Sequence, residues 1–225
     1  MPSHSLPSHL VSHQRSHRGL AAVLLLSFLA PAAAFAAAPP TAPAPPAPAG
    51  KALATFAMGC FWCAEDAFEG LPGVEAVVSG YTGGRVQDPT YEQVSGHGTG
   101  HWEAIQIVFD PQATSYEKLL DVFWHNVDPT DGGGQFCDRG DQYRAAVFFH
   151  DGEQKRLAEA SRQRVAQELN EGIAVKVLPA VTFYDAEEYH QDYAARNALR
   201  YNLYTRGCGR AARLKAVWGD AAGGH

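Results

Sequence analysis

A run of prolines and alanines, APPTAPAPPAPAG from Ala38 to Gly50, fixes where folding can begin. Such a composition cannot bury a core and prefers extended, polyproline-like backbone, so residues 38–50 read as a linker. What precedes it is not fold either. Residues 1–19 are polar, with Arg15 and Arg18 as their formal charges, and an apolar run follows from Leu20 to Ala38. Basic residues, a short apolar stretch and an Ala-Phe-Ala site ending at Ala36 make residues 1–37 a secretory signal peptide. Pro31 interrupts the apolar run, whose unbroken part is shorter than the roughly 20 residues of a spanning helix. Removal of the leader, no stable membrane insertion and export to a bacterial periplasm are therefore expected.

The remaining chain, residues 51–225, is long enough for one domain that buries about 70% of its unfolded surface, so no disulfide staples are required. It carries 16 Lys and Arg against 24 Asp and Glu, a net charge of −8. That argues against a nucleic-acid or anionic-membrane partner. Four cysteines remain, Cys60, Cys63, Cys137 and Cys208. An even count in an exported chain suggests structural disulfides. The domain does not need them, and bridging Cys60 to Cys63 would close almost no loop. Redox chemistry is the better reading.

Hydrophobic periodicity gives a coarse element order. ALATFAMG (Ala52 to Gly59) reads as a strand running into the helix CFWCAEDAFEGL, with Glu65 and Asp66 in its early turns. VEAVVSGY is a strand, followed by a Gly-rich loop from Gly80 to His101. WEAIQIVFD (Trp102 to Asp110) alternates as a strand. TSYEKLLDVFWHNV is a helix with Thr114 and Glu117 at capping-box spacing. After an irregular loop from Asp128 to Gln142 come the strand YRAAVFFH and the helix DGEQKRLAEASRQRVAQELN. AVKVLPAVTFY is strand-like, DAEEYHQDYAARNA reads as a helix, and the tail after Tyr201 as irregular. The order β-α-β-β-α-β predicts an α+β domain: a ferredoxin-like, split βαβ mixed sheet with an extra C-terminal helix and an irregular tail.

Cys60 falls at the predicted strand-to-helix junction, where unpaired backbone N–H groups and the helix dipole favour a thiolate. Gly59 lets the chain turn into that position. Glu103 shares a strand face with Ile105, Ile107 and Phe109, so its carboxyl is expected on the apolar side, protonated near neutrality and fit to act as a general acid. Tyr91, Asp138 and Tyr143, in the two loops, can hydrogen-bond a small polar atom. His97 and His101 with Cys137 raise the question of zinc, but Gly98 and Gly100 make HGTGH a poor helix and no second C-x-x-C occurs, so no metal is expected. No G-x-S-x-G elbow points to a serine hydrolase.

Ordered motifs then carry a resemblance: GCFW at Gly59–Trp62, GYTGG at Gly80–Gly84, DPTYEQV at Asp88–Val94, TGHWEAI at Thr99–Ile105, QYR at Gln142–Arg144 and FYDAEEYHQDY at Phe183–Tyr193. Over about Ala54 to Tyr193 the chain resembles the A-type peptide methionine sulfoxide reductases. The resemblance implies reduction of methionine S-sulfoxide, free or in oxidised proteins. Cys60 would be the nucleophile and Glu103 the proton donor, with Phe61 and Trp62 lining a methyl pocket. Tyr91 and Tyr143 would orient the oxygen, and Asp138 would support the site. It also implies a Cys60 sulfenic acid, closure to a disulfide by a second thiol, and recycling by an external thioredoxin-type dithiol without bound cofactor or metal. The chain is expected to act as a monomer.

The departures concern cysteines. Cys63 stands where many members have Gly, QFCD puts Cys137 where QGND is frequent, and RGCGR surrounds Cys208 in place of a GYC-type ending. Three resolving candidates follow: Cys208 first, because a flexible tail can reach a buried sulfenic acid, then Cys63 by proximity, then Cys137. The alternative function is an exported thioredoxin-like disulfide oxidoreductase using Cys60 and Cys63. A non-catalytic binding module with stapling cysteines is a third reading.

Overall fold

The strand ahead of Cys60 is β1 (Ala52–Met58), buried along nearly its whole length. The computed structural model describes Ala42 and residues 44–223. The leader assignment, residues 1–37, lies outside the described residues. Helix α1 (Phe61–Phe68) follows β1 directly. Then come β2 (Val74–Thr82), the short helix α2 (Tyr91–Ser95) and β3 (Trp102–Phe109). Helix α3 (Tyr116–His125) leads to a small hairpin of β4 (Gly134–Gln135) and β5 (Asp138–Arg139). After it come β6 (Ala145–Phe149), the long helix α4 (Gly152–Leu169), β7 (Lys176–Pro179) and β8 (Phe183–Asp185). The chain ends in α5 (Tyr193–Arg196), α6 (Ala198–Gly207) and α7 (Arg210–Trp218).

Six strands form one mixed sheet in the order β7-β6-β1-β3-β2-β8. Its inner four, β6-β1-β3-β2, are antiparallel neighbours, an arrangement compatible with the split βαβ sheet expected from the sequence. Only the β6–β7 pair is parallel, and α4 provides the crossover such a pair requires. Strand parity divides β1 between two faces. Ala54, Phe56 and Met58 join the main core, in which the Phe56 ring lies 5.5 Å from Phe68 and 5.2 Å from Phe123. Ala57 faces a smaller cluster with Ala104, Ala146 and Phe148.

Several local expectations change. The cap of α3 is Ser115, whose hydroxyl accepts from the Lys118 N–H, and not Thr114. A capping box does occur, in the first loop, between Thr90 and Gln93 at the start of α2. The stretch AVKVLPAVTFY is two strands on opposite sheet edges, because Pro179 ends the pairing with β6 and the chain must then cross to β2. The segment expected as one helix from Asp185 is a 3₁₀ turn, Glu188–His190, followed by the single turn of α5. The tail is helical, not irregular. Gly209, at φ +68°, breaks it into α6 and α7. No residue of α6 is fully buried, and Leu199 and Leu203 are exposed, so its sequence lacks the apolar stripe that announces a helix. Polar contacts hold α6, while α7 buries Leu214 and Trp218 in the main core and adds hydrogen bonds of its own. Tyr201 Oη donates to Asp66 Oδ2 at 2.8 Å, Arg213 Nε to Asp128 Oδ2 at 2.6 Å, and Trp218 Nε1 to the Val127 carbonyl at 2.9 Å.

The expected linker is partly seated on the domain. Thr182 donates its N–H to the Ala42 carbonyl at 2.9 Å, and Ala44 to Ala47 line a cavity with His150 and Ala180.

Candidate active site

Gly59 takes φ +86°, and a Cβ there would stand 2.7 Å from the Gln135 Cβ. Glycine is therefore required both by the backbone and by the space. The turn sets Cys60 as the N-cap of α1, just outside the helix. The next N–H, that of Phe61, is one of the unpaired donors at a helix start. It donates to Glu103 Oε2 at 3.1 Å, across 42 residues of sequence.

Glu103 lies on β3, 2% exposed, with Ile105, Ile107 and Phe109 buried on the same face as parity predicts. Burial pushes its carboxyl up to about 8, against the opposing pull of the Phe61 N–H. The Tyr143 hydroxyl lies near enough to favour the ionised form a little. The Tyr91 phenol is raised by burial and by the nearby Glu103 and Cys60. Tyr91 and Tyr143 thus flank one buried acid beside one thiol.

Phe61 is buried, its ring centroid 4.9 Å from that of His190 and 5.8 Å from that of Tyr81. Trp62 stacks flat on Tyr193 at 3.7 Å and donates Nε1–H to His190 Nδ1 at 3.0 Å. Glu187 accepts from Tyr81 Oη at 2.9 Å and from the Tyr91 N–H at 2.8 Å, so it positions the start of α2. Sequence reasoning assigned no role to Glu187, His190 or Tyr193, although all three lie in the quoted motif FYDAEEYHQDY. It also missed Tyr201, Tyr204 and Arg210, which reach the site from the tail.

The four cysteines separate into two pairs. Cys137 and Cys208 are joined by a disulfide with Cα atoms 4.8 Å apart, while Cys60 and Cys63 are free and buried. The tail thiol expected to lead resolution is therefore already bonded, and it sits at the end of a docked helix rather than on a flexible arm. Burial, then the neighbouring Cys63 and Glu103, push the Cys60 thiol well above its usual range. The helix start does not by itself make it a resting thiolate. Cys63 moves the other way, to about 7, through hydrogen bonding to Cys60 and the nearness of Arg210 and Tyr201.

Asp138 is half-buried, and Tyr204 Oη donates to its Oδ2 at 2.5 Å. His97, His101 and Cys137 are not brought together as ligands. The His101 ring bridges the Gly84 N–H and the Val86 carbonyl, and His97 Nδ1 pairs with Gln142 Oε1. A thiol at a helix start, tied through one peptide N–H to a carboxyl that keeps its proton, can attack an atom while protonating that atom's neighbour.

Residues 52–222 match the family described as peptide methionine sulfoxide reductase. Over 171 residues the chain is 52% identical to peptide methionine sulfoxide reductase MsrA of Bacillus subtilis (strain 168), covering 75% of this chain and 97% of that protein. It is 54% identical over 167 residues to peptide methionine sulfoxide reductase MsrA 2 of Caulobacter vibrioides, covering 74% of this chain and 85% of the relative. Among solved structures, reduced Mxr1 of Saccharomyces cerevisiae superposes with a TM-score of 0.65 at 30% identity, over 68% of this chain and 90% of that one. Methionine sulfoxide reductase A of Corynebacterium diphtheriae gives 0.62 at 30% identity, over 70% and 83%.

Proposed function

This chain belongs to the peptide methionine sulfoxide reductase family, and from that premise we propose which of its residues carry the reduction of methionine sulfoxide to methionine. The Cys60 thiolate attacks the sulfoxide sulfur while Glu103 protonates the oxygen, held by Tyr91 and Tyr143. Phe61 and Trp62 receive the methyl group on sulfur, and Asp138 supports the thiol. Methionine leaves and Cys60 becomes a sulfenic acid. The Cys63 thiolate then attacks the Cys60 sulfur, the hydroxyl takes up a proton from solvent and leaves as water, and a Cys60–Cys63 disulfide forms. Cys63 takes this role because it is free, adjacent and acidic, whereas Cys208 and Cys137 are bonded to each other.

The observation that carries the reading is the Phe61 N–H to Glu103 bond, which holds a protonated acid at the nucleophile's own turn. The S-epimer of the sulfoxide, free or in oxidised proteins, is the substrate. An external thioredoxin-type dithiol restores the thiols, and the residues assigned here leave no step for a bound metal or organic cofactor. The leader and the linker support action in the periplasm after cleavage. Among the described residues no helix is long and apolar enough to cross a membrane. Disulfide exchange in the thioredoxin manner is not favoured, because residues 52–222 match the peptide methionine sulfoxide reductase family. The test is turnover with dithiothreitol: the S-epimer is converted, the R-epimer is not, and Cys60→Ser abolishes conversion. Full activity in Cys60→Ser would overturn the assignment.

A further inference from the structure

The tail closes on the thiol pair in a way that the chemistry above does not use. Cys60, Cys63, Asp138, Tyr204, Cys208 and Arg210 line one small cavity. Tyr204 donates its hydroxyl to Asp138, and its ring stands edge-on to Trp62 at 5.8 Å. Four residues further on, Cys208 is bonded to Cys137, the chain neighbour of Asp138. The bridge therefore fastens together the two segments whose side chains make the Tyr204–Asp138 hydrogen bond.

We propose that Tyr204 is a further catalytic residue, which hands the Cys60 thiol proton to Asp138, and that the Cys137–Cys208 bridge holds it in place to do so. The step rests on the reading of Cys60 as the nucleophile. The step starts from a Cys60 S–H turned to Tyr204 Oη across the cavity they share, while the Tyr204 O–H is donated to Asp138 Oδ2. Moving each proton one place breaks the S–H bond and the original Tyr204 O–H bond. It forms a new O–H on Tyr204 and an O–H on Asp138. The product is a Cys60 thiolate accepting from Tyr204, with Tyr204 accepting from the Asp138 acid. The charge in the cavity is unchanged, and no oxidant or reductant takes part.

The groups facing Cys60 are Cys63 from α1, Glu103 from β3, Tyr204 from α6, and Tyr91, Tyr143 and Asp138 from the loops and their short elements. Arg210, on α7, acts on Cys63 and Asp138. Two of these groups can take the Cys60 proton. Cys63 can, but it would then lose the thiolate that the resolving step needs. The Tyr204 route leaves Cys63 ionised. Two electrostatic effects agree with it: burial raises the proton affinity of Asp138, and Tyr204 favours the Cys60 thiolate.

The test uses full-length protein carrying Cys63→Ser, in which the bridge leaves Cys60 as the free thiol. Its alkylation by iodoacetamide is followed against pH. Tyr204→Phe keeps the ring against Trp62 and removes the hydroxyl, and the apparent Cys60 pKa rises by about one pH unit, with alkylation at neutral pH roughly tenfold slower. Replacing both Cys137 and Cys208 by Ser in the same background gives a similar rise, and adding Tyr204→Phe to that variant gives no more. An unchanged profile in Tyr204→Phe overturns the proposal. So does a bridge-free variant whose profile still responds in full to Tyr204→Phe. The readout involves no sulfoxide, so it stands apart from any failure of the substrate assignment.

Discussion

The Phe61 N–H and the Glu103 carboxyl, 3.1 Å apart, join the helix that starts at the nucleophile to the strand that carries the acid. Because the donor is backbone, the side chain at 61 can wall a pocket while its peptide fixes the acid. Glu103→Gln keeps an oxygen for that N–H but cannot give up a proton. The variant should fold normally and lose about 10²- to 10⁴-fold in kcat/KM for methionine S-sulfoxide. A loss under threefold would remove Glu103 from the chemistry.

The same carboxyl sets an alkaline limit. It must be protonated to act, and its pKa is pushed up to about 8, so the rate should fall as pH rises through about 8. Steady-state rates of wild type between pH 6 and 10 should show this limb, and Glu103→Gln should lack it.

Peptide mapping after one turnover without reductant should find Cys60 joined to Cys63, with the Cys137–Cys208 bridge intact. In Cys63→Ser the sulfenic acid should persist and react with dimedone. A Cys60–Cys208 link as the main product would restore the tail cysteine as the resolver.

Glu65 offers a stability test away from the chemistry. It is 1% exposed, and burial raises its pKa to about 7 against the opposing pull of the Asp192 and Tyr193 backbone N–H groups. An unfolded glutamate titrates near 4.5, so between pH 4.5 and 7 the folded state holds the extra proton and stability falls as pH rises. Glu65→Gln lacks this penalty. Urea unfolding should find the variant more stable than wild type by about 3 kcal/mol at pH 8, with the gap vanishing near pH 4.5.

Gly59→Ala meets both the left-handed backbone and the Gln135 side chain. A loss of roughly 2–4 kcal/mol in unfolding free energy is expected. Activity of the surviving folded fraction should also drop, since the turn aims Cys60.

Glu103 was readable because strand parity is a strict period of two, and the β3 residues around it are apolar enough to reveal which face is buried. Cys60 was readable as a junction because a strand-like run stops at Gly59 and a helical run starts at Phe61. The altered acidity of the thiols was not, since it depends on burial and on Arg210 and Tyr201, which lie more than 130 residues away. The tail misled for a related reason. Tyr201 and Tyr204 hold α6 through single contacts to Asp66 and Asp138, which leave no periodic trace, and the buried apolar pair of α7, Leu214 and Trp218, spans only one helical turn. The Cys137–Cys208 pairing, across 71 residues, likewise has no local signature.

The Thr182 bond to Ala42 alters the reach of anything carried at the front of the chain. A free polyproline-like spacer from Ala42 to Lys51 would extend about 28 Å from the first strand. Laid against the domain edge, that length gives no swing. The reach of anything fused ahead of Ala42 is therefore counted from the Thr182 edge of the domain and not from the start of β1.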